Sequence, residues 1–197
     1  IYLNMVGAQD DQVFDGGTFA LNRGGSLAIK LPLFEEALEH IVLEETDTGW
    51  KIIKGELAKV PCDKELDYHA MVMGLRDYCK KSGFEKVVLG LSGGIDSALV
   101  AVIASDAIGS ANVRSIMLPS PYTSQTSLID ATDLVENLGC KSDTLPINDS
   151  LTAIDKTLSS TFEGRKIDLT EENIYVLNSP ILTNNQFEKF VSFFDKN

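Results

Sequence analysis

The sequence predicts an α/β fold, a doubly wound parallel sheet preceded by a smaller β-rich unit. Three observations carry this expectation. Residues from Lys64 onward alternate between apolar strand-like runs and helix-like runs with apolar residues at three- and four-residue steps. Glycines at 83, 109 and 139 follow the helix-like runs, where a left-handed stop is wanted. Residues 1–34 instead alternate by period two and contain the turn signal Asn22-Arg23-Gly24-Gly25.

Taken in order, Val13-Phe14-Asp15 leads into Gly16-Gly17, and Thr18 to Leu21 reads as a strand that returns after the turn as Ser26 to Leu31. This piece is too small to bury a core alone, so it is expected to pack on a neighbour. We assign it to residues 1–36. Residues 37–62 are mixed and charged, with a turn at Glu44 to Gly49 and punctuation at Pro61, and read as a linker. A helix runs from Lys64 to Gly83, with Leu66, Ala70 and Met73 among its apolar positions. Strand 85–91, a loop at 92–97 and helix 97–108 follow. Val113 to Leu118 forms a second strand, stopped by Pro119. Ser127 opens the next helix, with Asp130 as a variant capping box. Lys141 to Ile147 is a third strand, and Asn148 caps a helix running to about Phe162. Right-handed crossovers place these strands in parallel, with helices on both faces. Ligands of such sheets bind beyond the strand carboxyl ends. The loop at 92–97 and the turn at 118–127 both lie there.

The 197 residues suit one or two domains, and 44% apolar content suits a packed core. A net charge of −12 argues against binding nucleic acid or an anionic membrane. No apolar run approaches the ~18 residues of a membrane span. The start, Ile1-Tyr2-Leu3-Asn4, lacks the basic region of a signal peptide and an initiator methionine, so the chain is expected to begin inside a larger protein. Cys62, Cys79 and Cys140 have no metal-ligand spacing and read as reduced, mostly buried thiols of a cytoplasmic protein. His40 and His69 each sit in a helix-like stretch and read as surface or interface residues.

The chemistry concentrates in Ser92-Gly93-Gly94-Ile95-Asp96-Ser97. Two glycines let the backbone curl around a ligand. The following helix offers unpaired N–H groups and the positive end of its dipole. Ser92 and Ser97 add hydroxyls. The Asp96 carboxylate repels phosphate unless a divalent cation lies between them. The loop therefore reads as a polyphosphate site with Mg²⁺ on Asp96. A plain strand–turn–helix corner needs only the glycines, whereas both serines and the aspartate fit an anion site as well. A Walker A loop is excluded because no lysine lies between Lys86 and Lys141, and Gly-x-Gly-x-x-Gly is not present here.

Ser-Gly-Gly-Ile-Asp-Ser resembles the pyrophosphate loop of the N-type ATP pyrophosphatases, which split ATP between the α and β phosphates to adenylate a substrate. The resemblance implies the adenine nucleotide alpha hydrolase-like version of the doubly wound sheet. Met117-Leu118-Pro119-Ser120-Pro121-Tyr122-Thr123-Ser124 resembles the adenosine-side turn of NAD synthetases, which implies adenosine contacts at Met117, Leu118 and Ser124. Asp168-Leu169-Thr170-Glu171-Glu172-Asn173-Ile174 is similar to the motif opening that family's dinucleotide-site helix, which implies deamido-NAD contacts at Glu172 and Asn173. Asn4 to Asp10 and Val13 to Phe19 resemble the closing strands of a nitrilase-type glutaminase domain, so the order of segments resembles glutamine-dependent NAD synthetases.

The resemblance implies ATP-dependent amidation of deamido-NAD to NAD, with AMP and pyrophosphate released, ammonia supplied from glutamine, and a homo-oligomeric enzyme. It places the incomplete synthetase domain at 63–174 and the glutaminase catalytic Cys, Glu and Lys before Ile1. The chain departs from the pattern at Tyr175 to Pro180, where the family reads Gln-Ala-Arg-Ile-Arg-Gly, and a later Thr-Gly-Asn-Lys-Ser-Glu loop is absent. Residues 175–197 form an atypical tail in which Phe187, Phe190, Phe193 and Phe194 mark one apolar helix face. Two alternatives stay open at this point. One is another N-type ATP pyrophosphatase amidotransferase, and the other is a non-catalytic nucleotide-binding fragment.

Overall fold

The structure, a computed structural model, describes residues 1–160. The N-terminal part contains three antiparallel hairpins. β1 (Val6–Gln9) pairs with β2 (Gln12–Asp15), β3 (Phe19–Leu21) with β4 (Leu27–Lys30), and β5 (Val42–Thr46) with β6 (Gly49–Lys54). The turn between β3 and β4 is closed by Gly25 N–H on the Asn22 carbonyl, where the sequence signal put it. Residues 37–62 are more than a connection. β6 delivers Ile52 into a small core with Ala20 and Ile29, and the Asn22 amide bonds the backbone N–H and C=O of Ile52. The acidic residues around the turn hid a hairpin whose β-prone residues, Val42, Leu43, Trp50 and Ile52, lie on either side of it.

The second part begins with α1 (Asp63–Ser82), continues with β7 (Val87–Gly90), α2 (Ile95–Ile108), β8 (Val113–Met117), α3 (Gln125–Leu138) and β9 (Lys141–Thr144), and ends in α4 (Asn148–Leu158). The three strands form a parallel sheet in the order β7-β8-β9. Strand order runs one way, so right-handed crossovers put α2 and α3 on the same face. There Leu91, Ala101, Met117, Ala131 and Val135 form the main core. The other face of the described strands carries Val88 and the Arg114–Asp143 ion pair, which links β8 to β9. Within the core-facing row of β8, Ser115 is fully buried and its hydroxyl makes no hydrogen bond among the described residues.

Three local expectations are corrected. The helix opened by Ser127 starts earlier, because Ser124 is the N-cap and accepts from Ser127 N–H at 3.0 Å. Asn148 is the first residue of α4 rather than its cap, which is Ile147 without a side-chain hydrogen bond. His40 lies in irregular chain, not helix, while His69 does lie on α1 against the Phe34 ring. Of the thiols, Cys79 is buried, Cys140 half-buried and Cys62 exposed. Cys62 is exposed because it is the N-cap of α1, outside the packed turns. α4 ends at Leu158, before the expected end near Phe162, and the 168–174 segment and the tail lie outside the described residues.

Candidate functional site

β7 delivers the chain to the carboxyl edge of the sheet, where Leu91 N–H still bonds the Ile116 carbonyl at 2.9 Å and the Leu91 side chain is buried. The backbone then leaves the sheet. Gly93 adopts a φ of +81°, and Gly94 is extended as the N-cap of α2. Only the first of these glycines is demanded by space. A Cβ on Gly93 would lie 2.1 Å from the Ser127 carbonyl oxygen, whereas one on Gly94 would meet Ser92 Oγ at 3.4 Å. The loop is thus seated against the first turn of α3, and the N-termini of α2 and α3 lie side by side.

The two serines shape the loop from within. Ser97 Oγ donates to the Gly94 carbonyl at 3.0 Å and accepts from Ser92 N–H at 3.2 Å. Ser92 Oγ accepts from Gly94 N–H and lies 3.0 Å from Ser97 Oγ. α2 has no side-chain cap. Among the described residues, the N–H groups of Gly93, Ile95, Asp96 and Ser97 consequently have no hydrogen-bond partner. Four donors and the dipole end of a 14-residue helix thus meet at one largely exposed loop. Hydrophobic side chains do not fill it, since Ile95 is 81% exposed and Ser92, Gly94 and Asp96 are exposed.

Asp96 stands in the first turn of α2 without an ion-pair partner among the described residues. The described residues contain no cluster of three or more His, Cys, Asp or Glu arranged to hold a metal ion. One hard-oxygen carboxylate beside an anion site fits Mg²⁺, which is commonly held by one or two carboxylates and substrate phosphates.

The second expected subsite lies next to the loop at the end of β8. The Met117 side chain is buried and its carbonyl accepts from Leu145 N–H at 2.9 Å. Leu118 is half-buried at the strand exit. Ser124 spends its hydroxyl on the α3 cap, 2.8 Å from Ser127 Oγ. Thr123 Oγ1 and Ser120 hold the turn through Ser120 N–H at 3.0 Å. The fold thus brings Met117, Leu118 and Ser124 beside Ser92 to Ser97. Glu172 and Asn173 lie outside the described residues. No signal in the sequence marks the Ser127 carbonyl as a wall of the loop. A paired Gly-Gly signals tightness but not the partner that enforces it. A separate cavity of about 210 Å³ lies in the N-terminal part between Asn4, Gly16, Gly17 and Glu35, away from these groups.

With that geometry in hand, the chain can be set beside known proteins. The sequence model of the NAD synthase family matches residues 67–177. The chain is 55% identical over 174 residues to the glutamine-dependent NAD(+) synthetase of Rhodobacter capsulatus, covering 88% of this chain and 32% of that protein. It is 43% identical over 175 residues to the Synechocystis protein of the same name, covering 88% and 31%. The solved structure of the glutamine-dependent NAD+ synthetase from Acinetobacter baumannii in complex with adenosine diphosphate superposes with a TM-score of 0.80 at 39% identity, over 88% of this chain and 33% of that one. The chain spans about a third of the length of these relatives.

Proposed function

The chain belongs to the NAD synthase family, and from that premise we propose that it supplies the ATP-pyrophosphate subsite of a glutamine-dependent NAD synthetase. The reaction is the ATP-dependent amidation of deamido-NAD. The nicotinate carboxylate attacks the α-phosphate of ATP, the bond from the α-phosphorus to the bridging oxygen breaks, and pyrophosphate leaves. Ammonia then attacks the activated carboxyl carbon and AMP departs. In this reading residues 1–36 belong to a nitrilase-like glutaminase domain, and 63–174 belong to the synthetase domain.

The observation that carries the reading is the set of N–H groups at Gly93, Ile95, Asp96 and Ser97 that have no partner among the described residues, where the sheet hands over to α2. They are preorganised donors for the charge that gathers on departing pyrophosphate. Ser92 and Ser97 hold those donors in place and present their hydroxyl oxygens at the same surface. Asp96 would hold Mg²⁺, which when bound neutralises phosphate charge. The turn from Met117 to Ser124 is beside the loop on the side where adenosine would extend, and Glu172 and Asn173 are assigned to deamido-NAD by motif alone. Three unpaired cysteines suit a reducing cytoplasm, and we read the intact enzyme as a homo-oligomer.

The test is binding and turnover with defined ligands. The chain is expected to bind ATP in a Mg²⁺-dependent manner, and the intact enzyme carrying it to release AMP with deamido-NAD and not with xanthosine monophosphate or aspartate. Absence of Mg²⁺–ATP binding to a folded chain would overturn the reading.

A further inference from the structure

α1 carries a stripe of three residues, Gly74, Asp77 and Lys81, at the i, i+3 and i+7 spacing of one helix face. This stripe lies against the β1–β2 hairpin, and its two charged residues converge on Ala8. The Asp77 carboxylate accepts from Ala8 N–H at 2.8 Å. One turn on, the Lys81 ammonium donates to the Ala8 carbonyl. Both backbone groups of one strand residue are therefore held by two side chains of one helix.

The hairpin register explains why Ala8 is the residue held. Ala8 is opposite Val13, between the Gly7–Phe14 and Gln9–Gln12 pairs. Alternate residues of an antiparallel strand turn their N–H and C=O away from the partner strand. Among the described residues β1 has only β2 as a strand neighbour, so there the outward groups of Ala8 would otherwise form a free edge. Close approach is built in on the strand side. Gly7 has a φ of +134°, and a Cβ there would sit 3.1 Å from Asp77 Oδ2. On the helix side a Cβ on Gly74 would be 3.6 Å from Val13 Cγ2, an ordinary contact that does not require glycine. The Ala8 residue is 6% exposed and the Asp77 side chain 16%, so the Asp77 hydrogen bond is largely shielded from water and the stronger for it, while Lys81 reaches Ala8 from the exposed side.

We propose that Asp77 and Lys81 form a backbone clamp that docks the N-terminal hairpin on α1 and makes the hairpin and the α/β part unfold as one. The inference concerns a seam remote from the phosphate loop and does not depend on the proposed reaction.

Hydrogen exchange of the 197-residue chain tests it, with the Ala8 amide reporting the hairpin and the Ile103 amide, in the middle of buried α2, reporting the α/β core. In the unmodified protein both are expected to exchange through the same global opening. That opening breaks the clamp, so Asp77→Ala and Lys81→Met should each accelerate Ala8 and Ile103 exchange together by about tenfold or more, the loss of a charge-assisted hydrogen bond. Asp77→Asn, which retains an acceptor oxygen, should restore part of the protection at both amides. Unchanged Ala8 exchange in both variants overturns the proposal. So does a loss confined to Ala8, since the hairpin would then open without the α/β part. Lys81 is exposed, so its variant folds even if the Asp77 variant does not.

Discussion

Gly93 rests on the carbonyl of Ser127, close enough that a single added carbon would lie 2.1 Å from that oxygen. The contact fixes where the turn after β7 can stand. It also aligns the unpaired donors of α2 with the capped N-terminus of α3.

The two glycines of the loop should therefore respond differently to substitution. Gly93→Ala meets both a positive φ and the Ser127 backbone, and is expected to cost about 2 kcal/mol or more and to abolish nucleotide binding. Gly94→Ala has an ordinary backbone angle and a tolerable 3.4 Å neighbour. It should fold normally and bind within a few-fold of the parent. Chemical denaturation and calorimetric titration with Mg²⁺–ATP separate the two, and equal behaviour would contradict the seating described here.

Asp96→Asn removes the carboxylate while keeping size. The expected result is a loss of ATP affinity of about tenfold or more in Mg²⁺, with little change in the presence of a chelator. Melting temperature should stay close to the parent value, because Asp96 is exposed and makes no ion pair among the described residues. An affinity loss of equal size with and without Mg²⁺ would remove the metal from its role.

Tyr68 on α1 donates to Asp106 on α2 and joins the two helices. Burial, then the hydrogen bond and charge of Asp106, push its phenol up from 10.0 to about 12. The folded state holds this proton more tightly than the unfolded chain does. The stabilisation is thus complete below pH 10 and disappears as pH rises through about 12. Ultraviolet titration should show one tyrosine ionising late, and Tyr68→Phe should remove that step. A late step that survives the substitution would assign it elsewhere.

The thiols should react in order of access. Cys62 is exposed at the α1 cap, whereas Cys79 is 3% exposed and burial pushes its thiol up. A thiol reagent is expected to modify Cys62 rapidly and Cys79 only on unfolding. Mass spectrometry of timed samples checks the order, and rapid labelling of Cys79 would contradict the packing of α1.

What could be read from the sequence was local. The role proposed for Ser92 to Ser97 rests on six consecutive residues, because glycine, hydroxyl and carboxylate chemistry at a strand–helix junction needs no distant partner. The start of α3 was displaced because Ser124 and Ser127 are both competent caps, and only packing selects Ser124, which then bonds Ser127 N–H. The hairpin at 42–54 was masked by Glu44, Glu45 and Asp47, whose charges resemble a solvated linker. The contacts of Ala8 with Asp77 and of Gly93 with Ser127 join residues far apart in the chain, and no spacing rule reaches them.

The most direct measurement follows the backbone amides of the 197-residue chain by heteronuclear NMR during titration with pyrophosphate in Mg²⁺. The account predicts saturable shifts concentrated at Gly93, Ile95, Asp96 and Ser97, with Ala8 and the β5–β6 hairpin unmoved. Saturable binding that leaves those four amides in place, or no binding to a folded chain, would contradict it.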